Sequence, residues 1–159
     1  MGATAFVYNG RFHPETYLEL LQNYQINVLC CTPTEYRMMA KLSHLEQYNL
    51  EYLHSAVSAG EPLNREVVEQ FKRHFNITVR DGYGQTESTL LIGFLKDTEP
   101  RMGSMGKGIP GSFVTVIDDD GKEVGPNVKG NIAVPLDLPA LFKGYFKDEA
   151  RTKAADRKS

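Results

Sequence analysis

The sequence predicts an α/β fold, a mostly parallel sheet with flanking helices, followed by the start of an antiparallel β subregion. Two observations support this prediction. Short apolar runs alternate with segments of helical periodicity up to about residue 95, as in parallel strands joined by helical crossovers. Beyond the turn-rich stretch 102–111, short β-branched runs are separated by turn residues. We therefore predict an α/β subdomain over residues 1–100 and a β-rich subregion over residues 101–159, both partial.

Three helices are predicted in the first part. Pro14 suits the first turn of a helix, and Thr32-Pro33-Thr34-Glu35 is a capping box with proline at the first helical position. Asn64 is a plausible cap for the third helix. That helix has an apolar stripe consisting of Val67, Val68, Phe71 and Phe75.

Short strands are predicted between these helices. Residues 3–8 are apolar and β-prone, and strands are expected over residues 27–31, 54–58 and 77–80. In the second part, residues 113–117 and 130–134 read as strands, with Asp120-Gly121 as a hairpin turn signal.

Composition excludes several classes of function. The net charge is −2 over 159 residues without a block of like charge, so nothing indicates nucleic-acid binding. No apolar run approaches the roughly 18 residues of a membrane span, and the N-terminus does not have the pattern of a secretory signal. Cys30 and Cys31 are adjacent and point to opposite faces of a strand, which argues against a mutual disulfide. We expect them to be two small, reduced residues in the core of a cytoplasmic protein. The oligomeric state is left open.

The candidate site lies at the ends of the strands. In open α/β sheets, ligands bind beyond the carboxyl ends of the strands, and the loop SAGEP after residue 57 and DGYGQTES at 81–88 both lie there. Tyr83 offers a ring that can stack on a flat ligand, Thr86 a hydroxyl for a phosphate oxygen, and Glu87 an oxygen ligand for Mg²⁺. These groups suit a purine nucleotide with its metal. The alternative is an ordinary strand–turn–helix joint in which Thr86 or Glu87 caps a helix.

Other motifs favour structural roles. GSMGKGIPG at 103–111 lacks the spacing of a Walker loop, so we interpret it as a surface loop. Asp118, Asp119 and Asp120 lack the alternate spacing of an EF-hand and indicate a solvated hairpin turn. The four histidines show no paired spacing for zinc.

DGYGQTES resembles the signature motif of the AMP-forming acyl-CoA synthetases, in the adenylate-forming superfamily. The resemblance extends to TPTEYRMM at 32–39, SAGEPLNREVVEQF at 58–71, MGSMGKGIPG at 102–111, FVTVIDDDGKEV at 113–124 and GYFKDEARTKAA at 144–155. It covers almost the whole chain in the same order, and it is most similar to the medium-chain branch.

The resemblance implies a role for each candidate residue. It implies that Tyr83 stacks on adenine, that Thr86 binds the α-phosphate, and that Glu87 holds Mg²⁺, with Thr86 and Glu87 as the catalytic pair. Gly84 would leave room in the acyl pocket, where acetate-selective relatives carry tryptophan. The full nucleotide-binding set would be Gly60, Glu61, Pro62, Asp81, Gly82, Tyr83, Gly84, Gln85 and Thr86, brought together when the loops around positions 60 and 83 form a slot.

The implied reaction has two steps. A carboxylic acid, expected to be a medium-chain fatty acid, reacts with ATP to give acyl-AMP, and coenzyme A then displaces AMP. The sequence contains no Gly/Ser/Thr-rich loop ending in lysine for the terminal phosphates. We therefore interpret the chain as a middle piece of a synthetase, from an interrupted reading frame or a shortened chain, and expect it to be inactive alone. The alternatives are an aryl-acid–CoA ligase and a non-catalytic remnant with at most weak nucleotide binding.

Overall fold

The computed structural model describes residues 2–95 and 98–156. Four α-helices, a short 3₁₀ helix and seven strands follow one another in this part of the chain. The helices are α1 Pro14–Asn23, α2 Pro33–Ala40, α3 Arg65–Phe75 and α4 Glu149–Asp156, with the 3₁₀ helix at Leu45–Gln47. The strands are β1 Val28–Cys31, β2 Ser55–Ala59, β3 Val79–Gln85, β4 Thr89–Gly93, β5 Lys107–Gly108, β6 Thr115–Ile117 and β7 Asn131–Ala133.

The chain divides into two compact units. The first comprises Met1–Gly82 and Glu99–Ser104, and the second comprises Tyr83–Thr98 and Met105–Ser159. Strand β3 contributes residues to both units. The predicted domain division at residue 100 stays a prediction.

The first unit is the predicted parallel part of the fold. Strand β2 pairs in parallel with β1 and with β3, and helices α1, α2 and α3 separate the strands along the chain. The core is formed by residues with almost no exposed surface, among them Leu18, Tyr36, Met39, Leu45 and Phe71. The mixed α/β fold with a mostly parallel sheet is therefore confirmed.

A local sequence signal, the capping box, accounts for the start of helix α2. Thr32 and Glu35 form both bonds of the capping box, with Thr32 N donating to Glu35 Oε2 at 2.8 Å and Glu35 N to Thr32 Oγ1 at 3.3 Å. One turn later, the buried Tyr36 hydroxyl lies 3.1 Å from the carbonyl oxygen of Leu29 and 3.2 Å from that of Val57. The phenol therefore links α2 to both β1 and β2.

Helix α3 begins after Asn64, as predicted, but the Asn64 side chain makes no capping hydrogen bond. Val67, Val68 and Phe71 are buried, and Phe75 is half-buried against the core. The helix is followed by its C-cap residue Asn76, which adopts the left-handed conformation with φ 56°. Asparagine tolerates that conformation better than most residues.

The second unit contains the predicted antiparallel strands. Strand β6 pairs with β7 as predicted, and β4 pairs with β5, two strands that we did not predict. Asp118 organises the predicted turn, because its Oδ1 accepts hydrogen bonds from Asp120 N and Lys122 N. Gly121 has φ 79°, which glycine adopts without strain. The stretch 103–111, expected to be a surface loop, contributes the two-residue strand β5.

The β-prone run near the N-terminus is not a strand in the part of the chain that the structure describes. Phe6 instead packs on Tyr24 with ring centroids 4.8 Å apart, and Tyr8 contacts Tyr17 edge-on. Aromatic contacts with α1 and its C-terminus thus replace strand pairing for this segment.

Candidate functional site

The loop after β2 begins beside the middle of β3. Ala59, the last residue of β2, pairs with Gly82 of β3 in the parallel ladder of the first unit. The predicted residue Gly60 therefore follows directly after the strand that neighbours Gly82. Gly60 has φ 101° and no neighbour where a Cβ would lie, so its backbone is open to a ligand, whereas a side chain there would be strained. Gly60, Glu61 and Pro62 are all exposed.

Two residues of α2 hold this loop by the carboxylate of Glu61. Thr34 Oγ1 donates to Glu61 Oε2 at 2.7 Å, and Arg37 Nη2 lies 3.4 Å from the same oxygen. Arg37 also donates to Thr34 Oγ1 at 2.6 Å, which turns the threonine hydrogen toward Glu61. One carboxylate oxygen of Glu61 is therefore engaged with α2, which holds the loop against this helix.

Asp81 holds the other end of the loop. Its carboxylate accepts hydrogen bonds from Leu63 N at 3.4 Å and from Gly82 N at 3.0 Å. Burial raises the pKa of Asp81, and the two backbone donors oppose that rise. Glu61 and Asp81 thus fix the loop at both of its ends, through α2 and β3.

The structure corrects the prediction for DGYGQTES. We predicted a strand ending at residue 80 and a flexible loop beyond it, but β3 continues to Gln85, so Tyr83, Gly84 and Gln85 are strand residues. A turn at residues 86–88 then leads into β4 rather than into a helix. The alternative of a strand–turn–helix joint is therefore wrong, and neither Thr86 nor Glu87 caps a helix.

Gly84 is required by the approach of β4. A Cβ at this position would meet the carbonyl of Thr89 and the Cα of Leu90, its nearest contact being 2.1 Å from Thr89 O. Backbone atoms cannot give way as a flexible side chain can, so any larger residue would displace β4. Glycine at position 84 thus has a structural cause that is independent of substrate size.

The turn at residues 86–88 presents two predicted site residues. Thr86 is exposed, while Glu87 is half-buried. Ser88 N donates to Gln85 O at 3.1 Å and closes the turn.

The carboxylate of Glu87 is bound by a residue that we did not predict. The Tyr145 hydroxyl donates to Glu87 Oε1 at 2.5 Å. This hydrogen bond is the main cause that lowers the pKa of Glu87, and the positive charge of Arg151 adds to it. The pKa of Tyr145 is raised in turn, because its proton is held by the carboxylate. Glu87 is therefore anionic at neutral pH, as a ligand for Mg²⁺ must be.

These residues line a cleft of about 700 Å³ within the second unit. Tyr83, Gln85 and Glu87 belong to its wall, together with Tyr145 and Arg151. The remaining lining is largely apolar and includes Leu91, Ile132, Val134, Leu136, Leu141 and Phe142. An ionised carboxylate at the edge of an apolar cleft can hold a cation while a flat or apolar ligand occupies the space beside it.

The predicted residues thus fall into two groups. The first unit brings together Gly60, Glu61, Pro62, Asp81 and Gly82, and the second unit brings Tyr83, Gln85 and Glu87 to one cleft. The slot predicted from the loops around positions 60 and 83 stays a prediction, as do the roles of the individual residues.

Sequence reasoning missed Thr34, Arg37, Tyr145 and Arg151. Thr34 was assigned only to a capping box, and Tyr145 only to a family-like run, because their partners lie 27 and 58 positions away in the chain.

The described residues offer neither a cluster of metal-binding side chains nor a membrane span. Residues 2–95 and 98–156 contain no group of three histidine, cysteine or acidic side chains arranged to hold a metal. None of the helices in this part of the chain is both long and apolar enough to cross a bilayer.

Comparison with known proteins identifies similar sequences. The profile of the AMP-binding enzyme family matches residues 1–146. The chain is 63% identical over 156 residues to YtcI of Bacillus subtilis (strain 168), which is named as an uncharacterized acyl–CoA ligase. The aligned region covers 98% of this chain and 30% of that protein. It is 38% identical over 160 residues to the mitochondrial acyl-coenzyme A synthetase ACSM3 of Rattus norvegicus, covering 98% of this chain and 27% of that protein.

Solved structures show the same fold. An anthranilate CoA ligase, AuaEII, in complex with anthranoyl-AMP superposes with a TM-score of 0.88 at 24% identity, over 96% of this chain and 29% of that one. An acyl-CoA synthetase of Brucella canis superposes with a TM-score of 0.78 at 35% identity, over 87% of this chain and 26% of that one. The chain thus spans less than a third of the length of each of these proteins.

Proposed function

Because this chain belongs to the AMP-binding enzyme family, we propose that it is part of an acid–thiol ligase that forms an acyl adenylate from ATP. A carboxylate oxygen attacks the α-phosphorus, the bond to the bridging oxygen of the β-phosphate breaks, and pyrophosphate leaves. The sulfur of coenzyme A then attacks the acyl carbon, the thiol proton is lost to solvent, and AMP leaves. The observation that carries the proposal is the family match, which extends over the candidate site.

The candidate residues take the following roles. Tyr83 stacks on the adenine, and Thr86 donates its exposed hydroxyl to an α-phosphate oxygen. The proposed nucleotide set is completed by the backbone of Gly60, Glu61 and Pro62 and by Asp81, Gly82, Gly84 and Gln85. Glu87 holds Mg²⁺, which would neutralise charge on the phosphates, and its lowered pKa fits this role.

We propose a medium-chain fatty acid as the substrate. Two observations support this choice. The sequence motifs are most similar to those of the medium-chain branch, and the chain is 38% identical to ACSM3. An aryl acid is the second candidate, since the fold is shared with an anthranilate CoA ligase. Gly84 does not separate the two, because the approach of β4 already requires glycine there.

The nucleotide role is tested by calorimetric titration of this chain with AMP. We expect weak binding that Tyr83→Ala and Thr86→Val each reduce, while Tyr24→Phe, at an exposed tyrosine of the first unit, leaves it unchanged. Absence of binding to the unsubstituted chain would support the non-catalytic remnant instead. Non-hydrolysable octanoyl and benzoyl adenylate analogues then compare the two acids, and the proposed substrate requires the octanoyl analogue to bind more tightly.

We also propose that this chain does not adenylate alone, since GSMGK at 103–107, a Gly/Ser-rich stretch that ends in lysine, lacks the spacing of a phosphate-binding loop. ATP–pyrophosphate exchange with octanoate is the test, and clear turnover by the chain would contradict this proposal.

A further inference from the structure

One segment of the second unit holds Glu87 at two points. Phe142 N donates to the Glu87 carbonyl oxygen at 2.8 Å, and the Tyr145 hydroxyl donates to Glu87 Oε1 at 2.5 Å. The first contact fixes the main chain of the turn, and the second fixes the end of the side chain. Together they restrict the rotation of a carboxylate that would otherwise sample several rotamers.

We infer that Tyr145 is a positioning residue for Glu87, holding its carboxylate ready for a divalent cation at the wall of the cleft. This inference rests on the proposed function, which gives Glu87 its role as the metal ligand. The role that it assigns to Tyr145 is exerted through Glu87.

Tyr145 can serve as a fixed donor because it is itself held on several sides. Its backbone N donates to Thr152 Oγ1 at 2.9 Å, which ties it to helix α4. Its ring packs edge-on against Phe142 with centroids 4.9 Å apart, and the Arg151 guanidinium lies 4.0 Å from the ring centroid. A ring held in this way directs its hydroxyl toward one place.

The hydrogen bond is compatible with metal coordination. A phenol donates one hydrogen, whereas a carboxylate offers about four acceptor sites on its two oxygens, so a cation and Tyr145 can be bound together. The guanidinium of Arg151 lies over the face of the Tyr145 ring. Within the described residues, Arg151 forms no ion pair with Glu87. The carboxylate therefore remains available to an added cation.

A purely structural role for Tyr145 would give the same contacts, so the test must report on the metal. The probe is Mn²⁺ added to the whole chain, followed through paramagnetic broadening of the amide signals of residues 86–88. Tyr145→Phe removes the hydroxyl and keeps the ring with its contacts to Phe142 and Arg151. Tyr24→Phe is the matched control, because it removes an exposed hydroxyl in the first unit, and Glu87→Gln defines the signal due to the proposed ligand.

We expect Tyr145→Phe to weaken Mn²⁺ binding by about three- to tenfold, which is the effect of losing one typical hydrogen bond. The ¹³C signal of the Glu87 carboxylate should move in the same variant, while the amide signals of β7 stay in place. Glu87→Gln should abolish the broadening, and Tyr24→Phe should leave it unchanged.

Two negative results are distinguishable. Broadening that depends on Glu87 but is the same in Tyr145→Phe and in the unsubstituted chain would overturn the positioning role alone. Broadening that is absent, or is unaffected by Glu87→Gln, would overturn the metal role of Glu87 in the proposed function and the inference with it.

Discussion

Thr34 donates a hydrogen bond of 2.7 Å to Glu61, which lies 27 positions further along the chain. The bond joins the first turn of α2 to the loop after β2, and Arg37 reinforces it from the next turn. Through this contact, a helix that carries no proposed ligand contact sets the position of the loop proposed to line the adenine.

We predict that Arg37→Gln weakens AMP binding while changing stability little. The ion pair is largely exposed, so its loss should cost less than about 1 kcal/mol of folding free energy. The loop would become more mobile, and we expect the dissociation constant for AMP to rise about two- to fivefold in a calorimetric titration.

The matched control for this prediction is Arg65→Gln. Arg65 forms an exposed ion pair of 2.7 Å with Glu69 within α3, which does not hold the loop. Equal effects of the two substitutions on AMP affinity would show that the anchoring of Glu61 has no bearing on binding.

Gly84→Ala should destabilise the second unit. The added Cβ would collide with the backbone of Thr89 and Leu90, and overpacking of this kind costs about 1–3 kcal/mol. Denaturant unfolding measures the effect. Gly125→Ala is the control, since nothing lies within 4 Å of a Cβ built there, and a comparable loss in that variant would refute the steric explanation.

Cys30 should react with a thiol reagent well before Cys31. The two are free, with Cys30 exposed and Cys31 buried, and burial, aided by Glu35, raises the pKa of Cys31 to about 12. At about pH 8, only about one Cys31 in 10⁴ would then be a thiolate, and the thiolate is the reactive form. A time course with Ellman's reagent should show one fast thiol, which disappears in Cys30→Ser; a fast thiol in that variant would contradict the prediction.

The hydrogen bond to Glu87 should make stability depend on pH in the acidic range. Tyr145 lowers the pKa of Glu87 in the folded chain, so the folded state binds this proton less readily than the unfolded state does. The contribution is therefore fully present above the ordinary glutamate pKa of about 4.3 and is lost as the pH falls through the lower, folded value.

Thermal melts between about pH 6 and pH 3 check this sign. The unsubstituted chain should lose more stability on acidification than Tyr145→Phe, in which the carboxylate has no phenol to hold it. Parallel curves for the two proteins would show that the pair contributes nothing to the acid sensitivity.

Several elements could be predicted because their causes are local. The capping box of Thr32 and Glu35 formed as expected, and Asp118 organises the predicted hairpin turn through bonds to residues two and four positions away. By contrast, we expected both cysteines of β1 in the core, and only Cys31 is buried while Cys30 is exposed, because successive side chains of a strand point to opposite faces.

The extension of β3 could not be predicted in this way. Gly82-Tyr83-Gly84 has the composition of a loop, since glycine is unfavourable in strands, yet the ladder with β2 at Gly82 and the close approach of β4 at Gly84 hold it extended. Pairing with neighbouring strands is a tertiary effect, and here it overrides local preference.

By itself, the sequence determined the α/β class and the order of most helices and strands, because periodicity, capping and turn chemistry act over a few positions. The candidate nucleotide residues came from the resemblance to a family and stay a prediction. Only the tertiary structure decided that Glu61 is tied to Thr34, and Glu87 to Tyr145. Those contacts join residues 27 and 58 positions apart, and the packing of whole elements, rather than any short pattern, brings their atoms within hydrogen-bonding distance.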